Sequence, residues 1–99
     1  MSNRVSIKGV KVSTDHYING KRISSEEKFS VINPNNPNEI LAEVSRGDDA
    51  IAKLAVSSAR DGFNIWSEMS VGERSLIMHK LADLIDSNVE DISLIECLD

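Results

Sequence analysis

The chain has 99 residues, which fits one small domain or part of a larger one. Its formal net charge of −5 argues against a nucleic-acid or anionic-membrane partner, because neutralising phosphates or anionic head groups needs a basic patch. No apolar run approaches the roughly 20 residues that a membrane helix requires. Cys97 is the only cysteine, so no intrachain disulfide is possible. These features predict a cytoplasmic protein that binds neither nucleic acid nor membrane.

Residues 1–15 are polar and mixed, with scattered apolar side chains and no apolar core of signal-peptide length. We interpret them as an N-terminal extension that contains at most one weak strand. The stronger structural signals begin at residue 16.

The segment 16–23 predicts a β-hairpin. Its centre is Asn19-Gly20, two residues that tolerate the positive φ angles of a two-residue type I′ turn. Tyr17 and Ile18 should therefore pair with residues 21–23.

Two further strands are expected on either side of a turn. Residues 29–32 are β-branched and aromatic, and Pro34 ends them because proline cannot donate to a strand ladder. Residues 33–38 consist of asparagine and proline only, which predicts a turn. Residues 39–44 then form the next strand.

The apolar period changes to that of a helix after residue 47. Asp48 or Asp49 can cap the first helix. Its predicted apolar arc consists of Ile51, Ala55, Ala59, Gly62 and Trp66, with Phe63 beside them. Trp66 is expected to be a core anchor rather than a ligand platform.

Two more amphipathic helices follow. Ser70 and Glu73 have the spacing of a capping box and predict the start of the second helix. Its apolar face comprises Leu76, Ile77, Leu81, Leu84 and Ile85. Asn88 is expected to cap a third helix, whose stripe is Val89, Ile92 and Ile95. No helix-ending signal precedes Asp99, which leads us to expect a truncated piece of a larger protein.

Several short segments, in this order, resemble the opening of the aldehyde dehydrogenase superfamily. They are YINGK at residues 17–21, FSVINPNNPNEILAEV at 29–44, FNIWSEMSVGERSLIMHKLADLI at 63–85 and LIECLD at 94–99. No single segment is diagnostic, but together they occur in register over four-fifths of the chain. The resemblance implies that residues 16–99 are the N-terminal part of the cofactor-binding domain.

The resemblance implies an α/β fold in the intact protein. This chain would supply a β-hairpin and short strands followed by three amphipathic helices, as part of a Rossmann-like cofactor-binding domain. The intact enzyme would oxidise a small aldehyde to a carboxylic acid with NAD or NADP, through a cysteine thiohemiacetal, and would form a homodimer or homotetramer. The family's catalytic and dinucleotide-binding residues lie outside these 99 residues, so we expect the isolated chain to be inactive.

One family site is expected to include residues of this chain. Some members hold a structural potassium or sodium ion with main-chain carbonyls before the Asn-Pro pair and with a later aspartate. The corresponding positions here are Val31, Ile32 and Asp99. Carbonyl and carboxylate oxygens suit hard cations. A further ligand would come from outside this chain.

Other reactive side chains are given structural roles. Cys97 has no neighbouring base and is interpreted as a space-filling residue rather than a nucleophile. His79 and Asp83 are expected on a solvated helix face rather than at a metal. Asp86, Glu90 and Asp91 are interpreted as charges at helix ends rather than as an acid–base pair.

Two questions stay open from the sequence. General likeness favours a semialdehyde of aromatic-ring degradation as substrate, with betaine aldehyde close behind. The alternative to an enzyme is a free-standing, non-enzymatic α/β interaction module. A helix-turn-helix DNA-binding protein is disfavoured by the acidic balance, because the second helix offers only Arg74 and Lys80 as basic contacts.

Overall fold

The computed structural model describes residues 3–99. Six strands precede three helices. The strands are β1 (Arg4–Ile7), β2 (Val10–Ser13), β3 (His16–Ile18), β4 (Lys21–Ile23), β5 (Lys28–Asn33) and β6 (Asn36–Ser45). The helices are α1 (Asp49–Glu68), α2 (Val71–Ser87) and α3 (Val89–Leu98). Within residues 3–99 the strands form three separate antiparallel pairs, β1–β2, β3–β4 and β5–β6. The predicted order of short strands followed by three helices is confirmed.

The extension contains more structure than its sequence suggested. The expectation of at most one weak strand is wrong, because β1 and β2 pair from Arg4↔Ser13 to Ile7↔Val10. Lys8 and Gly9 form the connecting turn with φ angles of 51° and 87°. Alternating half-buried Val5 and Ile7 show the two-residue period of a strand. The first two residues of the extension lie outside the described residues.

The β3–β4 hairpin forms as predicted. Asn19 and Gly20 have φ angles of 52° and 72°, the left-handed region that a type I′ turn requires at both positions. Ile18 pairs with Lys21, and Tyr17 pairs with Arg22. The guanidinium carbon of Arg22 lies 4.6 Å from the centre of the Tyr17 ring, which adds a cation–π contact across the pair.

The turn between β5 and β6 is shorter than the sequence indicated. Only Pro34 and Asn35 connect the strands, since Asn33 already pairs with Asn36. The prediction that residues 33–38 are all turn is therefore wrong. The ladder shifts register on both sides of Ile32, and this irregular stretch accommodates Pro37, which has no N–H for a regular ladder. Asn33 stabilises the turn by accepting a hydrogen bond from Asn35 N–H at 3.0 Å.

The helix starts follow the predicted caps in two of three cases. Asp48 Oδ1 accepts from Ile51 N–H at 2.9 Å and begins α1. Ser70 and Glu73 form the full capping box at the start of α2. Asn88 does not cap α3, so that prediction is wrong. Its amide donates instead to the Leu84 carbonyl at 2.8 Å and satisfies the end of α2, because α3 follows without a separating loop.

These elements bury very little apolar surface. Ile18 is the one buried hydrophobic side chain among residues 3–99, and Trp66 remains 36% exposed. The expectation that Trp66 anchors a core is therefore wrong for this structure. The radius of gyration is 16.4 Å. A compact chain of this length would have a radius of gyration of about 13 Å. The apolar face of α2 is exposed within residues 3–99, whereas Ile51 and Ala55 of α1 and Ile95 of α3 are half-buried.

Within the described part of the chain, none of the helices has both the length and the apolar composition needed to cross a bilayer.

Candidate functional site

A cavity of about 140 Å³ lies where α3 approaches the first and third hairpins. Its lining is mainly aliphatic, and the residues that matter for the predicted cation site are Val31 and Asp99, which both border it. Val31 comes from β5 and Asp99 follows the last turn of α3. Two positions that are 68 residues apart in sequence (99 − 31) therefore meet at one cavity.

Ile32 does not line this cavity. Its side chain is exposed, whereas that of Val31 is half-buried, as expected for neighbours on a pleated strand. Val31 pairs with Ala42 and Ile32 with Ile40, so the ladder skips Leu41 between them. In such an irregularity the extra residue, here Leu41, has no pairing partner and the ladder is locally disrupted.

The donor chemistry of these three residues fits a hard monovalent cation. Val31 and Ile32 can offer only main-chain carbonyl oxygens, and Asp99 adds a carboxylate. Within residues 3–99 no group of three His, Cys, Asp or Glu side chains is placed to hold a metal. Any cation here would therefore depend on main-chain oxygen atoms and on one charged side chain.

A polar junction joins the three hairpins near this cavity. Asn3 N–H donates to Asp15 Oδ2 at 2.7 Å, and its side-chain amide donates to Asp15 Oδ1 at 3.0 Å and to Ser24 Oγ at 3.1 Å. Lys28 Nζ lies 3.2 Å from Ser24 Oγ and 3.3 Å from Ser45 Oγ. Segments that are distant in sequence are thus connected by hydrogen bonds rather than by an apolar core.

The main chain reinforces the same junction. Ser45 N–H donates to the Thr14 carbonyl at 3.0 Å, and Ser25 N–H donates to Ser45 Oγ at 3.0 Å. Ser45 and Thr14 are buried. His16 Nε2 lies 2.8 Å from Ser25 Oγ, so this histidine, which carried no sequence signal, is also part of the network.

Asp15 is the titratable group that the junction perturbs. The hydrogen bond from Asn3 N–H is the main cause that holds the pKa of the Asp15 carboxyl below its ordinary value of 3.8. Burial opposes this effect, while the side chains of Asn3 and Ser24 and the charge of Lys28 support it. Sequence reasoning missed the junction because several of its hydrogen bonds join residues 12 or more apart in sequence, such as Asn3 and Asp15.

The remaining candidates stay apart from the cavity. Cys97 is a free, exposed thiol on α3. His79, Asp83 and Asp86 are exposed on α2, and Glu90 and Asp91 are exposed in the first turn of α3. Glu90 and Asp91 lie in the first turn, as predicted, where the helix dipole stabilises their negative charges. The structure gives none of these side chains an arrangement suited to acid–base or nucleophilic chemistry.

Comparison with known proteins identifies relatives for most of the chain. The family model described as the aldehyde dehydrogenase family matches residues 22–99. The 5-carboxymethyl-2-hydroxymuconate semialdehyde dehydrogenase of Escherichia coli is 38% identical over 85 residues, which cover 86% of this chain and 18% of that protein. No solved structure matches the chain.

Two other relatives match a similar share of the chain. The betaine aldehyde dehydrogenase of Vibrio vulnificus (strain YJ016) is 36% identical over 88 residues, covering 87% of this chain and 18% of that protein. Aldehyde dehydrogenase family 2 member C4 of Arabidopsis thaliana is 36% identical over 90 residues, with the same two coverages of 87% and 18%. The chain thus spans less than a fifth of the length of these relatives.

Proposed function

Because the chain belongs to the aldehyde dehydrogenase family, we propose that it supplies the opening strands and helices of a cytoplasmic, homo-oligomeric enzyme that oxidises an aldehyde to a carboxylic acid. The opening elements would form part of a Rossmann-like cofactor-binding domain. In this proposal the chain has a structural role, and the reactive cysteine and the residues that contact the cofactor lie elsewhere in the protein. The 99-residue chain alone is then inactive.

The intact enzyme would use NAD or NADP, whose nicotinamide accepts a hydride from the substrate. The sequence contains no Gly-x-Gly-x-x-Gly phosphate loop, so these residues offer no cradle for a dinucleotide. Their contribution would be to cover and position the elements that do bind the cofactor.

The observation that carries this proposal is a large total exposed surface that includes many large apolar side chains. The chain exposes 7766 Å². A compact protein of 10.9 kDa exposes about 5,600 Å², so the excess is about 2,200 Å². Exposed members of the α2 face include Leu76, Leu81 and Leu84. Monomeric proteins rarely expose continuous apolar patches above a few hundred Å². These faces therefore suit packing against further structure.

A semialdehyde is the substrate class that we favour, with betaine aldehyde as the alternative. Support comes from two relatives, a semialdehyde dehydrogenase that is 38% identical and a betaine aldehyde dehydrogenase that is 36% identical. The test is to compare kcat/KM for a semialdehyde and for betaine aldehyde in an enzyme that contains this chain. A clear preference for betaine aldehyde would reverse the assignment.

A segment exchange tests the structural role. Residues 22–99 replace the corresponding segment of the E. coli semialdehyde dehydrogenase, and reduction of the nicotinamide is followed by absorbance. The expected result is an active, oligomeric chimera. In the same chimera Leu81→Asp should abolish activity because it places a charge on the α2 apolar face, while Ser75→Asp on the polar face should not.

Two results would contradict the proposal. One is a chimera that folds and assembles but does not oxidise aldehydes. The other is equal tolerance of Leu81→Asp and Ser75→Asp, which would show that the α2 face is not covered in the enzyme. Either result would favour the non-enzymatic interaction module.

We also propose that Val31, Ile32 and Asp99 contribute oxygen ligands to a structural potassium or sodium ion. The shared cavity at Val31 and Asp99 and the irregular ladder at Ile32 support this assignment. A bound cation would stabilise the native state by mass action. The active chimera should therefore melt at a higher temperature in potassium than in a bulky organic cation, and Asp99→Asn should reduce the difference. Equal melting temperatures in both salts would contradict the proposed cation site.

A further inference from the structure

The tip of the β3–β4 hairpin carries a chemically labile pair. Eight asparagines occur in the sequence, and Asn19 alone is followed by glycine. Asn19 and Gly20 are both exposed. A side chain added at Gly20 would meet nothing within 4 Å, so the surroundings of this peptide bond are open to solvent. Asparagine is among the thermolabile residues of proteins.

We propose that Asn19 is a site of spontaneous deamidation and isomerisation. The main-chain nitrogen of Gly20 attacks Cγ of the Asn19 side chain, forms the N–Cγ bond and releases its proton. The Cγ–Nδ2 bond breaks, ammonia leaves and a five-membered succinimide remains. Water then adds to one of the two ring carbonyls and opens the ring to aspartate or isoaspartate. The sum is amide plus water giving carboxylate plus ammonium, with no change of oxidation state.

The geometry of the turn leaves the attacking nitrogen accessible. Ile18 and Lys21 form the last pair of the ladder, so the Gly20 N–H lies outside it. Gly20 has no Cβ that would obstruct the approach of the nitrogen to the side chain. Its φ of 72° and that of 52° at Asn19 belong to a tight turn that must open transiently for the attack. Isolated two-stranded hairpins are marginally stable, and local opening of this turn would allow the attack without unfolding of the whole chain.

The other asparagines provide comparisons within the same chain. Asn33 and Asn36 precede proline, whose nitrogen has no proton to release. Asn64 and Asn88 precede the β-branched residues Ile65 and Val89. These four positions should react much more slowly than Asn19.

The Asp61-Gly62 pair tests the effect of structure on the related aspartate reaction. Gly62 also has open surroundings, with nothing within 4 Å of an added Cβ. It lies inside α1, however, where its N–H donates along the helix. Open space around the glycine is therefore not sufficient for the reaction. Comparing Gly20 with Gly62 distinguishes the effect of exposure from that of main-chain hydrogen bonding.

The two products have different structural consequences. Aspartate preserves the turn, because Asp-Gly also suits a type I′ turn. Isoaspartate routes the main chain through the former side chain and adds a methylene to the loop. The Ile18–Lys21 register cannot then be kept, and Ile18, the one buried apolar side chain among residues 3–99, loses its position. Isoaspartate should therefore loosen β3, β4 and the start of α1.

The test is a timed incubation of the 99-residue chain at mildly alkaline pH, followed by tryptic digestion and mass spectrometry. The peptide of residues 12–21 contains Asn19 as its one asparagine, so its modification is read without interference. Each event converts an amide to an acid and changes the formal charge from −5 to −6, which anion exchange resolves. Asn19 should react about tenfold faster than any other asparagine, because glycine alone leaves the attack unobstructed.

Two variants and one condition complete the test. Asn19→Gly keeps a turn of positive-φ residues but cannot deamidate, so its peptide should stay unmodified. Asn19→Asp carries the added negative charge but keeps the normal main chain. Freshly prepared, this variant should keep the hydrogen-exchange protection of β3 and β4 that the isoaspartate form loses. Incubation in denaturant gives the rate for the unfolded chain. Modification of Asn19 no faster than that of the other asparagines, or modification seen only in denaturant, would overturn the proposal.

Discussion

Truncating Ile18 and Leu84 should have very different effects on this chain. Ile18 is 8% exposed and Leu84 is 62% exposed. Truncating a buried isoleucine to alanine costs about 2–5 kcal/mol, because the transfer free energy is lost and a cavity remains. Full burial of a leucine contributes about 1.5–3 kcal/mol, so the buried third of Leu84 contributes about 0.5–1 kcal/mol.

Hydrogen exchange measured by mass spectrometry is the suitable assay, since it reports local opening without assuming one cooperative transition. Ile18→Ala should reduce protection of β3 and β4 by about 30-fold or more, which corresponds to 2 kcal/mol or more. Leu84→Ala should reduce protection of α2 by about fivefold or less. In the active chimera, which contains residues 22–99 and therefore lacks Ile18, Leu84→Ala should cost about 2–5 kcal/mol, because the α2 face would be covered.

Equal losses of protection for the two variants in the 99-residue chain would refute the reasoning. That result would mean that the α2 face is already buried in the isolated chain, through collapse or self-association. Size-exclusion chromatography of both variants separates these explanations, because self-association depends on protein concentration.

Three further predictions follow from single contacts. Ser70→Ala should destabilise the start of α2 by about 1 kcal/mol, read as lost helicity by circular dichroism, while unchanged helicity would show that the capping box contributes nothing. The lowered pKa of Asp15 stabilises the folded junction above pH 3.8, and this contribution should be lost as pH falls through the lower folded pKa. Asp15→Asn should flatten that acid dependence of Asn3 protection, and an unchanged profile would exclude Asp15 as its source. Asn88→Asp should weaken the end of α2 because it removes the donor to the Leu84 carbonyl, so increased protection there would indicate capping of α3 instead.

Local sequence signals predicted those features whose partners are close in the chain. Asn19-Gly20 specified its turn because both residues accept positive φ, and Ser70 with Glu73 specified a cap because three residues bring the two groups together. Predictions failed where several local solutions compete. Asn88 could cap α3 or satisfy α2, and only the direct continuation of one helix into the next selected the second.

The candidate cation site shows the same division. The resemblance to a known family pointed to Val31, Ile32 and Asp99, and no local pattern would have selected them. The type of oxygen ligand that each residue offers can be predicted from the sequence. The cavity shared by Val31 and Asp99, however, exists because α3 packs back against the hairpins. The irregular ladder at Ile32 could not be predicted from the sequence either, because it depends on the pairing register of β5 with Ile40 and Leu41 of β6.

The sequence by itself determined the family, through several segments in register along the chain, and the Asn19-Gly20 turn and the Ser70–Glu73 capping box, which depend on residues within a few positions of one another. Only the tertiary structure decided that the extension is a hairpin, that Asn3, Asp15, Ser24 and Ser45 meet at one junction, and that the apolar face of α2 remains exposed. Periodicity shows which side of a helix is apolar. Whether that side is buried depends on a partner surface that no local pattern contains.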